Sequence, residues 1–109
     1  MFFAQGDIVE FDLSPSIGSE PQSRRPALVV STNEFNMMTS MTLVCPIASR
    51  DNGFPLHIRL PEMLLTYGFV ASEQVRAFDL EARRATLIES AAADSEFMKQ
   101  IRQLIRSFV

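Results

Sequence analysis

The stretch SRRPALVVS, residues 23–31, sets two adjacent arginines and a proline in front of a continuous apolar run. An unbroken run of this kind, rich in β-branched residues and short, fits a strand that is buried in a core. ALVVST (27–32) is therefore read as a core strand, approached through Pro26, whose fixed φ makes the approach rigid. Arg24 and Arg25 then stand at its mouth, either as loop cations that keep the chain soluble or as a site for an anion.

Working outward, DIVEFDL (7–13) offers Ile8, Phe11 and Leu13 to a core and stops at Ser14-Pro15. SPSIGSEPQSRRP (14–26) is a loop by composition. On the other side, NEFNMM suits one helical turn, MTLVCPIAS (41–49) a third buried strand, and Asn52-Gly53 a turn. In PLHIRL (55–60), Leu56, Ile58 and Leu60 alternate with His57 and Arg59, which predicts a half-exposed strand. GFVASEQVRAF (68–78) supplies one more strand or two short ones. Phe97, Met98, Ile101, Leu104, Ile105 and Phe108 recur at helical spacing, with Asp94 and Glu96 at the start and Arg102 and Arg106 toward the end, as the helix dipole prefers. The expectation is a single domain over 1–109, mainly β with helices (α+β): a small barrel-like sheet of five to six strands with a C-terminal helix.

The 109 residues are 47% hydrophobic and 21% charged, as in an ordinary globular domain. No apolar run approaches the roughly 18 residues that span a bilayer. The opening MFF, soon followed by Asp7, lacks a signal-peptide core, so a cytoplasmic protein that uses no membrane is expected. Cys45 and His57 are the sole residues of their kinds, and no carboxylates cluster at ligand spacing, so neither a metal nor another cofactor is expected. The net charge of −3 opposes a general affinity for phosphate, but the charge is unevenly spread. Residues 1–22 hold Asp7, Glu10, Asp12 and Glu20 without a Lys or Arg, whereas Arg24, Arg25, Arg50, Arg59, Arg76, Arg83 and Arg84 occupy the middle. The arginine fork suits phosphate, and salt bridges equally.

GDIVEFDLSPSIGSE, RRPALVVS, FN, PIAS and GFVASEQVRAFD, in this order between Gly6 and Asp79, resemble the MazF/PemK family of toxin endoribonucleases from toxin–antitoxin modules. The helical tail fits as well. The resemblance implies an SH3-like, CcdB-like barrel that forms a homodimer. It also implies metal-independent, sequence-specific cleavage of single-stranded RNA through its 2′-OH, leaving 2′,3′-cyclic phosphate and 5′-OH ends, and control by a cognate antitoxin. Such cleavage needs an acceptor for the 2′-proton, a cation or donor for the crowded phosphate, and a proton for the leaving oxygen. Arg25 matches the arginine of the family's RP motif, which resembles a catalytic group; the alternative is a loop cation paired with Glu20. Glu20 matches an acidic loop position that orients Arg25 or accepts the proton, or it is an ordinary solvated carboxylate. Arg24 is read as an auxiliary phosphate contact. Gln74 and Arg76 match a groove segment and are candidates for base-edge and phosphate contacts, unless Arg76 pairs with Glu73 or Asp79. Asn36 reads a base or caps the helical turn, Phe54 stacks a base or closes the barrel, and His57 is a surface or RNA contact.

One position departs from the pattern. The family has threonine where this chain has Ala48, and a methyl cannot donate to a phosphate. Losing one such donor costs roughly 3 kcal/mol. Either Ser49 takes over, which strand alternation opposes unless the strand has ended there, or activity is reduced, or the alanine is an introduced inactivating change. Two rivals to the nuclease remain: a silent RNA- or antitoxin-binding member, and a gyrase poison of related fold, which should lack the RP site.

Overall fold

The computed structural model describes residues 2–13 and 23–109; the expectations for Glu20 and for the loop over 14–22 lie outside the described residues. Strands β1 (Asp7–Asp12), β2 (Arg24–Val29) and β3 (Thr42–Ala48) run antiparallel at the centre of a seven-stranded sheet. β7 (Thr86–Ser90) flanks β1, and β4 (His57–Arg59) and β5 (Phe69–Ala71) extend the other side. β3 is shared: Thr42–Val44 pairs with β6 (Arg76–Phe78), and Ile47–Ala48 pairs with β5. A strand that carries two partners in succession along one edge lets the sheet curl into a small barrel.

Ala27–Val29 of β2 and Leu43–Ala48 of β3 are apolar without interruption because both faces of these strands are covered. Ile8, Leu28, Cys45 and Ile47 pack with Met98 and Ile101 of the C-terminal helix, α2 (Glu96–Arg106). Val9, Phe11, Ala27, Val29 and Val44 pack on the opposite face with Phe78 and Leu80. Adjacent residues point to opposite faces, so a strand buried on both has no polar position to offer. Ser95 caps α2 by accepting the Met98 N–H. The apolar stripe of this helix packs on the sheet, although Phe108 lies beyond the helix and is exposed.

Several expectations change. β2 begins at Arg24 rather than Ala27 and ends at Val29, so Arg24, Arg25 and Pro26 are strand residues and not loop. Proline is tolerated there because β3 pairs with β2 only over Ala27–Val29, leaving one edge open at Pro26. Pro46 likewise sits in the gap between the β6 and β5 ladders. β7 has no counterpart in the expected five to six strands; it is an edge strand with Leu87 and Ile88 exposed, and its TLIES sequence alternates poorly. The backbone turn lies at Pro55–Leu56, where the His57 N–H donates to the Phe54 carbonyl, and not at Asn52-Gly53, which forms no hairpin because β5 rather than β3 is the partner of β4. There Asp51 and Asn52 accept the N–H groups of Gly53 and Phe54, and Gly53 adopts φ +77°. The helical turn is α1 (Asn33–Met38), capped by Thr32 and not by Asn36. Among the described residues no helix is long and apolar enough to cross a membrane.

Candidate functional site

Strand geometry separates the two arginines. Arg24 and Arg25 are neighbours in β2, so their side chains leave opposite faces. Arg24 donates to the Glu10 carbonyl (2.6 Å), the Arg84 carbonyl (3.2 Å) and Thr86 Oγ1 (3.2 Å), and its Nε lies 3.5 Å from the Glu10 carboxylate. The guanidinium thus clamps β2 to β1 and to the start of β7. Its Nε and Nη2 groups already have acceptors within the sheet, which favours a structural role over the expected phosphate contact. Arg25 is exposed and donates to the Arg24 carbonyl at 3.0 Å.

Arg25 stands on the divide between two adjoining clefts. One, of about 560 Å³, is walled by Leu13, Pro46, Ile47 and Phe78, with Glu73, Gln74 and Arg76 at its polar side. The other, of about 460 Å³, is bounded by Pro26 and Ile47 and by Ala48, Ser49, Arg50, Asn52 and Tyr67. Arg25 and Ile47 line both. Three arginines thus face one continuous concave surface on a chain whose net charge is negative, and a local field of that sign attracts anions whatever the total. Ala48 is the last residue of β3, and Ser49 follows in a bend. Strand alternation therefore no longer governs Ser49, which lines the same cleft as Arg25.

The remaining candidates divide. Gln74 and Arg76 line the first cleft together with Arg25. Arg76 stacks on Phe78, with its guanidinium carbon 4.8 Å from the ring centroid, and is not ion-paired with Glu73 or Asp79. His57, expected on an exposed face, has a side chain only 5% exposed. Its Nε2 lies 3.0 Å from Glu73 Oε2, and the Phe54 ring covers it edge-on at 5.3 Å. It stands behind Glu73 rather than in either cleft. Glu73 is held below the ordinary carboxylate range: its partial burial pushes the pKa up, but hydrogen bonds from His57 and Gln74 outweigh that. Phe54 is half exposed over His57 and lines neither cleft. Asn36 is buried, and its amide nitrogen donates to the carbonyls of Phe3 and Ser31, so it neither caps α1 nor faces Arg25. Cys45 is fully buried, and burial, helped by the Glu73 charge, pushes its thiol up to about 12.

Sequence reading missed Tyr67, Asn52 and the Pro46–Ile47 wall of the clefts. Arg50, directly after the predicted strand end, carried a usable signal. Tyr67 did not, because its place depends on how the β4–β5 connection folds back on β3. Among the described residues no three His, Cys, Asp or Glu side chains come together as a metal site.

Comparison with known proteins follows the same lines. Residues 4–109 match the family described as PemK-like, MazF-like toxin of type II toxin–antitoxin system. The endoribonuclease toxin ChpB of Escherichia coli (strain K12) is 43% identical, with 83% of this chain and 81% of that protein covered. The crystal structure of MazF (form I) from Deinococcus radiodurans superposes with a TM-score of 0.81 at 33% identity, covering 98% of this chain and 96% of that one. A chain of the MazE–MazF crystal structure (form II) from the same organism gives 0.80 at 30% identity, covering 98% and 94%.

Proposed function

The chain belongs to the PemK-like, MazF-like toxin family of type II toxin–antitoxin systems, and from that premise we propose that it is an endoribonuclease acting on single-stranded RNA. The observation that carries the reading is Arg25, exposed on the divide between two clefts that also hold Arg50, Arg76, Ser49 and Gln74. A guanidinium there meets the phosphate where the strand breaks and stabilises the charge that builds up as the 2′-oxygen attacks. An ordinary guanidinium is a poor base, so charge stabilisation is its main role. Ser49 donates to the same phosphate, and Glu20, outside the described residues, orients Arg25 or accepts the 2′-proton. Gln74 and Arg76 hold the strand along the first cleft. Splayed bases and edge contacts give the sequence preference.

The reaction proposed is metal-independent and leaves a 2′,3′-cyclic phosphate and a 5′-hydroxyl. Mixed-sequence single-stranded RNA incubated with the protein in EDTA should acquire those ends, and RNA that stays intact while bound would overturn the nuclease reading. That outcome is the second reading, a silent binding member, which Ala48 favours because it lines the cleft with Arg25 and carries no side-chain donor. The partners proposed are a second copy of the chain and a cognate antitoxin, whose acidic segment would compete with RNA for the cleft arginines. The site of action proposed is the cytoplasm, where mRNA is translated.

A further inference from the structure

Tyr67 is the only tyrosine of a chain without tryptophan. It lines the cleft with Arg25, Ala48 and Ser49 yet stays 64% exposed. The backbone on either side of it is held firmly. Before it, the Glu89 carboxylate accepts the Leu65 N–H (3.0 Å) and both the N–H and the hydroxyl of Thr66 (2.6 Å each). After it, Gly68 at φ +152° lies so close to β3 that a Cβ would stand 2.6 Å from the Ala48 carbonyl oxygen. Phe69 meets the ring edge-to-face at 5.8 Å, and the Arg59 guanidinium carbon is 5.7 Å from its centroid.

An aromatic ring on so constrained a segment loses little freedom when a ligand stacks on it, and its open surface stays hydrated until one does. Arginines beside an exposed ring form the arrangement on which single-stranded nucleic acids dock, with phosphates on the cations and bases on the ring. We propose that Tyr67, steadied by Arg59, is a stacking platform for one base of the RNA, next to the phosphate held at Arg25. The identity of the strand rests on the nuclease reading, whereas the contact does not: DNA of the same length lacks the 2′-OH, cannot be cut, and still presents bases to the ring. Every base has a π-face, so the platform adds affinity and leaves sequence choice to other residues.

The test titrates the intrinsic tyrosine emission of the whole protein with a short mixed-sequence single-stranded DNA. Anisotropy of the labelled strand gives Kd for wild type, Tyr67→Phe and Tyr67→Ala, sedimentation gives their oligomeric state, and steady-state cleavage gives kcat and KM. Saturable quenching is expected. Tyr67→Phe should bind within about twofold of wild type, whereas Tyr67→Ala should raise Kd and KM about tenfold with kcat unchanged. Binding without quenching, or an unchanged Kd for Tyr67→Ala, overturns the proposal. So does a Tyr67→Ala defect that vanishes at protein concentrations restoring the wild-type oligomer, which would assign the ring to a subunit contact. If RNA stays intact while quenching and the Tyr67→Ala defect persist, the nuclease reading fails and the platform stands.

Discussion

Replacing Arg24 and Arg25 one at a time should separate stability from catalysis, because adjacent strand residues face opposite ways. Arg24→Ala removes a 2.6 Å bond to the Glu10 carbonyl, two bonds of 3.2 Å to the Arg84 carbonyl and Thr86 Oγ1, and an ion pair with the partly exposed Glu10. Taking about 1.5 kcal/mol for the short charged bond and a few tenths for each exposed contact gives a loss of about 2 kcal/mol. For a domain of this size that lowers Tm by about 10 °C. Arg25→Ala removes an exposed side chain and should shift stability by no more than about 0.5 kcal/mol. Its cost falls on the reaction, where loss of one charge-stabilising donor slows the chemical step by about a hundredfold or more. Thermal unfolding followed by circular dichroism, and single-turnover cleavage of a labelled RNA well below either Tm, give the two readouts. If Arg24→Ala abolished cleavage with Tm unchanged, or Arg25→Ala lowered Tm as far as Arg24→Ala and still cut normally, the division of labour would be wrong.

Three further outcomes follow from the site. Ala48→Thr adds a hydroxyl at the last position of β3, and single-turnover cleavage should rise about a hundredfold; a gain under about threefold would mean that Ser49 already supplies this donor. Glu73 and Glu89 both titrate below the ordinary carboxylate value in the fold. In each, burial pushes the pKa up but is outweighed by hydrogen bonds, from His57 to Glu73 and from Thr66 to Glu89. Their stabilisation is complete above the unfolded value of about 4.5 and is lost as pH falls through the lower folded values, so Glu89→Gln should flatten the acid limb of a urea-midpoint against pH curve. The buried Cys45 thiol, at about 12 instead of 9.0, has about a thousandfold less thiolate than an ordinary cysteine at mildly alkaline pH, so iodoacetamide should label it only after urea unfolding.

Much of the sheet was legible because burial leaves a periodic trace. ALVV and LVCPIA are apolar throughout because each face of these strands meets its own cluster, and α2 carries a stripe because one side of it meets the sheet. β7 escaped because an edge strand exposed on both faces, with a bulge in its pairing with β1, keeps no clean alternation. His57 was misread for a related reason. Alternation put it opposite Ile58 correctly, but the side it faces is roofed by Glu73 and Phe54, which come from elsewhere in the chain.

The amino-acid sequence by itself determined the buried strand-forming segments, the helix at the end, and the presence of an arginine pair just before the apolar run of the second strand. Composition and local periodicity suffice for these, since each depends on neighbours within a few residues. Which arginine faces the clefts, that Arg24 is tied to β1 and β7, that Asn36 is buried, and that Tyr67 joins Ala48 beside Arg25 were decided only in three dimensions. Those outcomes depend on the register and curl of β3 against β2, β5 and β6, and residues far apart in the chain have no local pattern that announces their meeting.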